Sequence, residues 1–177
     1  MVNPALVIDF VNTLDLGPRF EALDSPSALG GWLRERALLP EEARVTRSDL
    51  HDAIELREAI RTLLGAHNEV PGDVAAASEV LDRALCRANL CVRFQEGVLR
   101  LEPEAAGVRG ALGRILGEVA AAMTDGVWER MKACRADDCQ WAYLDTAKNQ
   151  SRAWCSMQSC GNRAKARRHY HKSRAEG

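Results

Sequence analysis

Four cysteines near the C-terminal end of the chain constrain its fold more than any other feature. They form two close pairs, Cys134 with Cys139 and Cys155 with Cys160, and residues 140–154 separate the pairs. Two such pairs with a short spacer suit one tetrahedral zinc ion held by four thiolates. Because four sulfur ligands leave no position for water, we expect a structural metal and not a catalytic one.

Other uses of these cysteines are less consistent with the sequence. Four sulfur ligands also suit an iron–sulfur centre, but the paired spacing and the basic segment that follows favour zinc. Residues 1–8 lack a basic start and a cleavage site, which predicts a cytoplasmic protein whose thiols stay reduced. No apolar run approaches the roughly 20 residues that span a bilayer. Cys86 and Cys91 have no second pair nearby, so we expect them to be small buried apolar residues.

Charge is distributed unevenly along the chain. The 177 residues have a net charge of −1, but residues 1–130 carry 14 Arg/Lys and 21 Asp/Glu, whereas residues 151–177 carry seven and one. An acidic body followed by a basic tail fits a contact with nucleic acid that is confined to the tail.

A helix over about 162–173 is predicted to hold this positive charge. Its basic groups surround the helix and do not form one stripe. The candidate phosphate contacts are Arg163, Lys165, Arg167, Arg168, Lys172 and Arg174. Arg163, next to the metal, is equally suited to brace the loop that holds the cysteines. Ala166 and Tyr170 are expected to face the interior of the cysteine-rich segment, residues 126–177, which we call the finger.

The remaining sequence predicts a mainly α (α+β) fold with two parts, residues 1–125 and 126–177. Aromatic residues are only 5% of the chain, so the core must be aliphatic, which suits helix packing. Predicted helices begin after Ser25 (to about Leu39), after Ser48 and after Asp73. A further helix is predicted from Pro103 to about Met123, and residues 90–101 predict a β-hairpin that turns at 96–97.

Two segments leave a choice between ligand binding and internal packing. Residues 5–14 are apolar except for Asp9, Asn12 and Thr13, and their pattern does not decide between a strand and a helix. These polar groups could bind a small ligand or satisfy one another internally. Glycines recur in the helix predicted after Pro103, and they indicate either close helix packing or a groove lined by backbone; they are Gly107, Gly110, Gly113 and Gly117.

The cysteine-rich part has a clear predicted order. The first pair should lie in the knuckle of a short hairpin whose return strand is residues 141–144, and residues 145–150 read as a polar turn. The second pair precedes the basic helix. A hairpin followed by a helix around one zinc ion is typical of a treble-clef finger.

Two stretches resemble a known bacterial family. Cys160-Gly161-Asn162-Arg163 resembles the signature of the CGNR zinc finger, and residues 6–14, Leu-Val-Ile-Asp-Phe-Val-Asn-Thr-Leu, resemble the start of the ABATE domain that precedes it. The family is one of stress-induced transcription regulators. The resemblance implies a helical, sensor-like domain, a zinc-bound module that binds DNA, and a location in the bacterial cytoplasm. It also implies the zinc ligands Cys134, Cys139, Cys155 and Cys160.

Our hypothesis is that the finger binds duplex DNA and that residues 1–125 sense a small molecule or a partner, with a homodimer as one arrangement. One alternative is a finger that docks on another protein. A second is RNA binding, in which unpaired bases would stack on Trp141, Tyr143, Trp154 or Tyr170. We do not expect an enzyme, since there is no phosphate loop, nucleophile elbow or HExxH pattern.

Overall fold

The computed structural model describes residues 2–95 and 97–175, with side chains at all of these except 95, 169 and 171–175. Six α-helices and three antiparallel strand pairs lie in this part of the chain, so the mainly α prediction is confirmed. The helices are α1 (Pro4–Val11), α2 (Pro26–Glu35), α3 (Arg47–Ala66), α4 (Val74–Ala88), α5 (Gly107–Thr124) and α6 (Asn162–Ala175). The strands pair as β1 (Leu14–Asp15) with β2 (Phe20–Glu21), β3 (Leu90–Gln95) with β4 (Val98–Pro103), and β5 (Met131–Ala133) with β6 (Ala142–Leu144).

Residues before two of the helices cap them as predicted. The Ser25 side chain accepts a hydrogen bond from the Ala28 N–H, and Asp73 accepts one from the Ala76 N–H. Each bond satisfies one of the amide groups that a helix leaves unpaired at its start. The segment left undecided at the N-terminus is also a helix, because Asn3 caps α1 and Pro4 occupies its first position.

Three predicted helix boundaries are wrong. The cap of α3 is Thr46, not Ser48, because Thr46 and Asp49 form a capping box in which each side chain accepts from the other's backbone. Helix α5 begins at Gly107, because Pro103 is still paired with Leu90 in the hairpin. Helix α2 ends at Glu35, four residues before its predicted end near Leu39.

One apolar core joins the helices. Val7 and Phe10 of α1, Leu56 and Ile60 of α3, and Ile115 of α5 are all fully buried in it. The aliphatic core expected from the scarcity of aromatic residues is therefore present. Among the described residues, no helix combines the length and apolar character needed to cross a bilayer.

The α5 glycines permit close packing. A Cβ at Gly113 would lie 2.7 Å from the Ala88 Cβ of α4, and one at Gly117 would lie 2.8 Å from the Leu101 carbonyl oxygen of β4. Contacts this short cannot form, so both positions require glycine, which has no side chain. Packing of α5 against α4 and the hairpin therefore accounts for these two glycines, and neither faces an open ligand groove.

The β5–β6 pair packs on the helices. Met131, Ala133 and Ala142 belong to the same apolar cluster as the helical core. A second, smaller cluster lies beyond them and contains Cys134, Ala136, Tyr143 and Cys160. The division near residue 125 stays a prediction, and the apolar core continues across it.

Candidate metal centre and adjoining basic helix

The four predicted cysteine ligands meet at one point. The sulfur atoms of Cys134, Cys139, Cys155 and Cys160 all lie within 4.8 Å of one another. The Sγ atoms of Cys139 and Cys155 are 3.6 Å apart, and those of Cys155 and Cys160 are 3.7 Å apart. A tetrahedral ion with zinc–sulfur bonds of about 2.3 Å requires sulfur separations of roughly 3.8 Å. The donor set therefore fits one structural zinc ion.

The first pair of ligands sits on the turn of the β5–β6 hairpin. The Cys134 N–H donates to the Trp141 carbonyl at 2.9 Å, and the Cys139 N–H donates to the Ala136 carbonyl at 2.9 Å. Gln140 leaves the turn with a left-handed φ of 47°. The chain therefore reverses between the two thiols and directs both toward the same side, which is the knuckle that the sequence predicted.

The second pair flanks a wide helical turn, Met157–Gly161, that leads directly into α6: Cys155 lies before the turn and Cys160 lies within it. Ser156 begins this turn, and its carbonyl accepts a hydrogen bond from the Gly161 N–H at 3.0 Å. A Cβ at Gly161 would lie 2.8 Å from the Met157 sulfur and 3.2 Å from the Trp154 ring. Glycine after Cys160 thus lets the second ligand pair and the basic helix come close together.

Arg152 braces the second pair in a way that the sequence did not indicate. Its guanidinium lies 4.8 Å from the centre of the Tyr143 ring and donates to the backbone carbonyls of Trp154 and Cys155. The Tyr143 hydroxyl in turn donates to the Arg152 carbonyl at 2.6 Å. Tyr143 is only 7% exposed, so the prediction that it could stack on RNA bases is wrong.

A buried ion pair lies under the hairpin. Lys132 donates to Asp145 at 2.8 Å and also to the Gln150 carbonyl, and the two charged side chains are 7% and 0% exposed. Burial alone would raise the pKa of Asp145. The hydrogen bond from Lys132 and those from the Ala147 and Arg152 amides outweigh it, so the pKa of Asp145 is lowered. Residues 145–150 were predicted only as a polar turn, and a completely buried carboxylate was not foreseen.

The thiols of Cys134, Cys139 and Cys155 alter one another's pKa values. Hydrogen bonding with Cys139 lowers the pKa of Cys134 to about 5, and the same contact raises the pKa of Cys139. Burial raises the pKa of Cys155 to about 12. One thiolate therefore forms readily, whereas four thiolates this close need a cation to offset their mutual repulsion. A divalent metal supplies that charge.

Arg163 touches this centre directly. Its guanidinium donates to the Cys160 sulfur at 3.1 Å and lies 3.5 Å from the Asp138 carboxylate. Arg167, one turn later, is 3.8 Å from the same carboxylate. The alternative in which Arg163 braces the knuckle is therefore the one that its contacts favour.

The described side chains of α6 are exposed, except that of Ala164, which is half-buried. Lys165 and Arg168 form no ion pair or hydrogen bond within the described part of the chain. The side chains of the predicted contacts Lys172 and Arg174 lie outside the described residues. Ala166 is exposed and Tyr170 is 58% exposed, so the prediction that they face the interior of the finger is wrong. No described side chain of α6 belongs to either apolar cluster.

Asn12 joins α1 to the finger. Its side-chain amide donates to the Ala142 carbonyl at 2.9 Å, and its side-chain oxygen accepts from the Ala142 N–H at 2.8 Å. Thr13 is buried, donates to the Phe10 carbonyl and accepts from Arg57. Internal bracing thus accounts for both residues. Asp9 is apart from them, with a side chain 56% exposed and 3.8 Å from Arg36, and a ligand contact there stays a prediction.

Helix α3 and the residues directly after it also contact the finger. The buried guanidinium of Arg61 donates to the carbonyls of Val11, at 2.7 Å, and Gln140, at 3.0 Å. At the end of α3, Asn68 donates to the carbonyls of Ala133 and Ala153, both at 2.8 Å. These side chains satisfy backbone groups on both sides of the metal centre. They fix the β5–β6 hairpin to the helical body, which consists of α1–α5 and the strands between them.

Two further expectations concern cysteines outside the cluster. Cys86 is exposed and Cys91 is half-buried, so the prediction of two buried apolar residues is wrong. Cys86 lies on α4 near its end, and Cys91 lies on β3.

Comparisons with known proteins agree with this geometry. Residues 130–173 match the family model "CGNR zinc finger", and residues 4–130 match the model "ABATE", described as "Putative stress-induced transcription regulator". No curated protein matches the chain significantly. The two models together cover the helical body and the metal centre, as the two sequence motifs predicted.

Proposed function

Because the chain belongs to the ABATE family and ends in a CGNR zinc finger, we propose that it is a transcription regulator that binds duplex DNA through α6. In this proposal zinc has no catalytic part. It fixes the turn from which α6 begins, and α6 supplies the cations that contact phosphate. The protein acts in the cytoplasm, where its thiols stay reduced, and it is not an enzyme.

The observation that carries the proposal is that two cations among the described side chains of α6 are exposed and unpaired. Lys165 and Arg168 are three residues apart, share one side of the helix and have no acidic partner in the described structure. Arg163 and Arg167 lie on another side, where Asp138 offsets part of their charge. Phosphate contact is therefore expected first at Lys165 and Arg168, and Arg163 is expected to serve mainly the metal centre.

The test is a salt titration of zinc-loaded protein with a labelled random duplex. Each phosphate contact steepens the fall of log K with log salt by about 0.9. The double change Lys165→Glu and Arg168→Glu should flatten this slope by about 2 and weaken binding at low salt. The matched control is Arg44→Glu with Arg100→Glu, since both of these arginines are exposed and unpaired in the described structure.

The control alters net charge equally but lies away from α6. If both double variants weaken binding alike, the effect is one of net charge and the assignment to α6 fails. A wild-type protein that carries one zinc ion and still binds no duplex at low salt would also refute the proposal. Preference for single-stranded RNA would support the RNA alternative, and affinity for neither nucleic acid would support docking on a protein.

We also propose that the helical body regulates the finger. The support is the set of hydrogen bonds from Asn12, Arg61 and Asn68 to the hairpin, because a shift of α1 or α3 would move the knuckle with it. A homodimer would place two fingers on one duplex and increase selectivity, since phosphate contacts alone carry no sequence information. Sedimentation of the zinc-loaded protein, with and without duplex, tests the stoichiometry.

A further inference from the structure

A cleft lies between the turn that joins β1 to β2 and the zinc knuckle. Its volume is about 560 Å³, and Leu14, Leu16 and Arg19 line one side while Asp137 and Asp138 line the other. The two sides approach closely at Gly17, where a Cβ would lie 3.9 Å from the Asp138 carbonyl oxygen. Small-molecule sites commonly fall between structural units and have volumes of roughly 300–1,000 Å³.

The charges of this cleft are only partly satisfied. Arg163 also lines it, but Arg163 is held by Asp138 and by the Cys160 sulfur. Arg19 and Asp137 are exposed and have no ion pair or hydrogen bond among the described residues. One cation therefore remains available on the side of the helical body, and one anion remains available on the side of the finger.

The remaining surface is apolar. Leu14 and Leu16 are half-buried and contribute aliphatic area to the same cleft as the two free charges. Arg19 also has a left-handed φ of 56°, a conformation that costs a non-glycine residue free energy and that occurs often at binding sites. A ligand that satisfies all three features must carry an anion, a cation and an apolar group in one small molecule.

We propose that this cleft binds a zwitterion with an apolar side chain, either a free α-amino acid or a short peptide. The carboxylate pairs with the Arg19 guanidinium, whose two parallel N–H groups match its geometry. The ammonium pairs with Asp137, and the side chain packs on Leu14 and Leu16. This inference rests on the proposed regulatory role of the body and names the chemical class of its ligand.

The position of the cleft gives the ligand a direct connection to the metal centre. A molecule bound there touches the knuckle beside Arg163, which lies in the first turn of α6 and donates to the sulfur of the zinc ligand Cys160. Binding thus links the body to the finger at a further place, in addition to the hydrogen bonds from Asn12, after α1, and from α3.

Calorimetry with the full-length, zinc-loaded protein tests the proposal without DNA. The probes are leucine and the dipeptide Leu-Leu, each compared with its N-acetylated and C-amidated form. We expect saturable binding of at least one free zwitterion, weakened about tenfold or more by blocking either end. Tighter binding of leucine identifies the free amino acid as the ligand class, and tighter binding of Leu-Leu identifies the peptide.

Substitutions test which residue binds the carboxylate of the probe and which binds its ammonium group. Arg19→Ala should abolish the difference between the free and amidated probe, and Asp137→Asn should abolish the difference between the free and acetylated probe. Arg44→Ala and Asp82→Asn are matched controls, because both residues are exposed, unpaired in the described structure and absent from the cleft. The proposal is overturned if no probe binds at millimolar concentration, if blocked probes bind as well as free ones, or if the controls lose binding equally.

The outcome is independent of the DNA experiment. A protein that binds duplex but none of the probes keeps the proposed function and loses this ligand class. A protein that binds a probe but no duplex keeps the cleft and loses the assignment to α6.

Discussion

The helical body and the finger are stabilised by different means. The body has a continuous core of fully buried aliphatic residues, such as Leu56, Ile60 and Ile115. The small cluster of the finger contains only Cys134, Ala136, Tyr143 and Cys160 as buried members, and two of these are metal ligands. A segment this poor in apolar contacts needs a metal, polar networks or its neighbour to fold.

The two regions also differ in the number of charged side chains that they bury relative to their apolar core. The finger buries an ion pair between Lys132 and Asp145, and Arg152 and Arg163 hold its ligand loops. In the body, Arg61 is buried where α3 meets the finger, whereas Arg57 is buried within the body and pairs with Glu21 and Glu58. Among the described residues, three of the four buried charged side chains thus lie in the finger or contact it, namely Lys132, Asp145 and Arg61.

The largest expected effect is that of zinc removal. Chelation should unfold the finger, because metal binding contributes about 10–16 kcal/mol in small zinc modules, whereas the helical body should keep most of its far-ultraviolet circular dichroism. Hydrogen exchange should show loss of protection in β5, β6 and the turn before α6, with α3 and α5 still protected. Equal loss of protection in α3 would contradict the division into two differently stabilised regions.

The buried ion pair should be the next most sensitive feature. Asp145→Asn leaves the Lys132 ammonium buried without its counter-charge, and we expect a loss of about 3–5 kcal/mol in the free energy of unfolding. The double change Lys132→Met with Asp145→Asn should recover much of that loss, because no charge then stays buried. Urea unfolding measures both. A single variant as stable as wild type would show that the pair is dispensable.

The body should respond to loss of apolar volume instead. Ile60→Ala removes a fully buried side chain from α3 and should cost about 2–5 kcal/mol in the free energy of unfolding. Zinc content, measured by a colorimetric assay after purification, should stay at one per chain. If this variant also lost its zinc, the stability of the finger would depend on the body's core.

Asp145 should make the stability of the finger sensitive to acid. The folded pKa of Asp145 is lowered, so its contribution is fully present above the ordinary carboxyl pKa of about 3.9 and is lost as pH falls through the folded value. Zinc-loaded wild type should therefore lose more stability below this pH than the Lys132→Met, Asp145→Asn double variant does. Parallel acid titrations of the two proteins, followed by tryptophan fluorescence, check the difference.

The smallest expected effect concerns Asp138. Its pairs with Arg163 and Arg167 involve half-exposed side chains at 3.5 and 3.8 Å, and such pairs contribute at most about 1 kcal/mol. Asp138→Asn should therefore change stability little and, under the proposed function, tighten DNA binding no more than about fivefold. Anisotropy at several salt concentrations measures this, and weaker binding would show that Asp138 orders the arginines for DNA.

Local patterns in the sequence predicted much of this structure, and the failures have physical reasons. The cysteine spacing predicted the metal centre, and the caps at Ser25 and Asp73 predicted two helix starts. Thr46 was overlooked although Thr46 and Asp49 fit the capping-box pattern. Pro103 was misread as a helix start, because proline suits the first helical turn and an edge strand equally well.

Contacts between distant segments were not predictable in the same way. Arginine is usually found at the surface, and nothing in the local sequence indicates that the guanidinium of Arg61 is buried and satisfies the carbonyls of Val11 and Gln140. The burial of Asp145 depends on Lys132 across the hairpin, and the cleft at Arg19 depends on the knuckle more than a hundred residues later. Such features arise only when tertiary packing brings the segments together.

The most direct test of the account is duplex binding by one protein preparation before and after zinc removal, with circular dichroism recorded on the same samples. We predict that salt-sensitive binding disappears with the metal while the helical signal of the body persists, and that both return to their initial values when zinc is restored. Unchanged binding by the zinc-free protein would contradict the claim that the metal centre positions α6 for DNA.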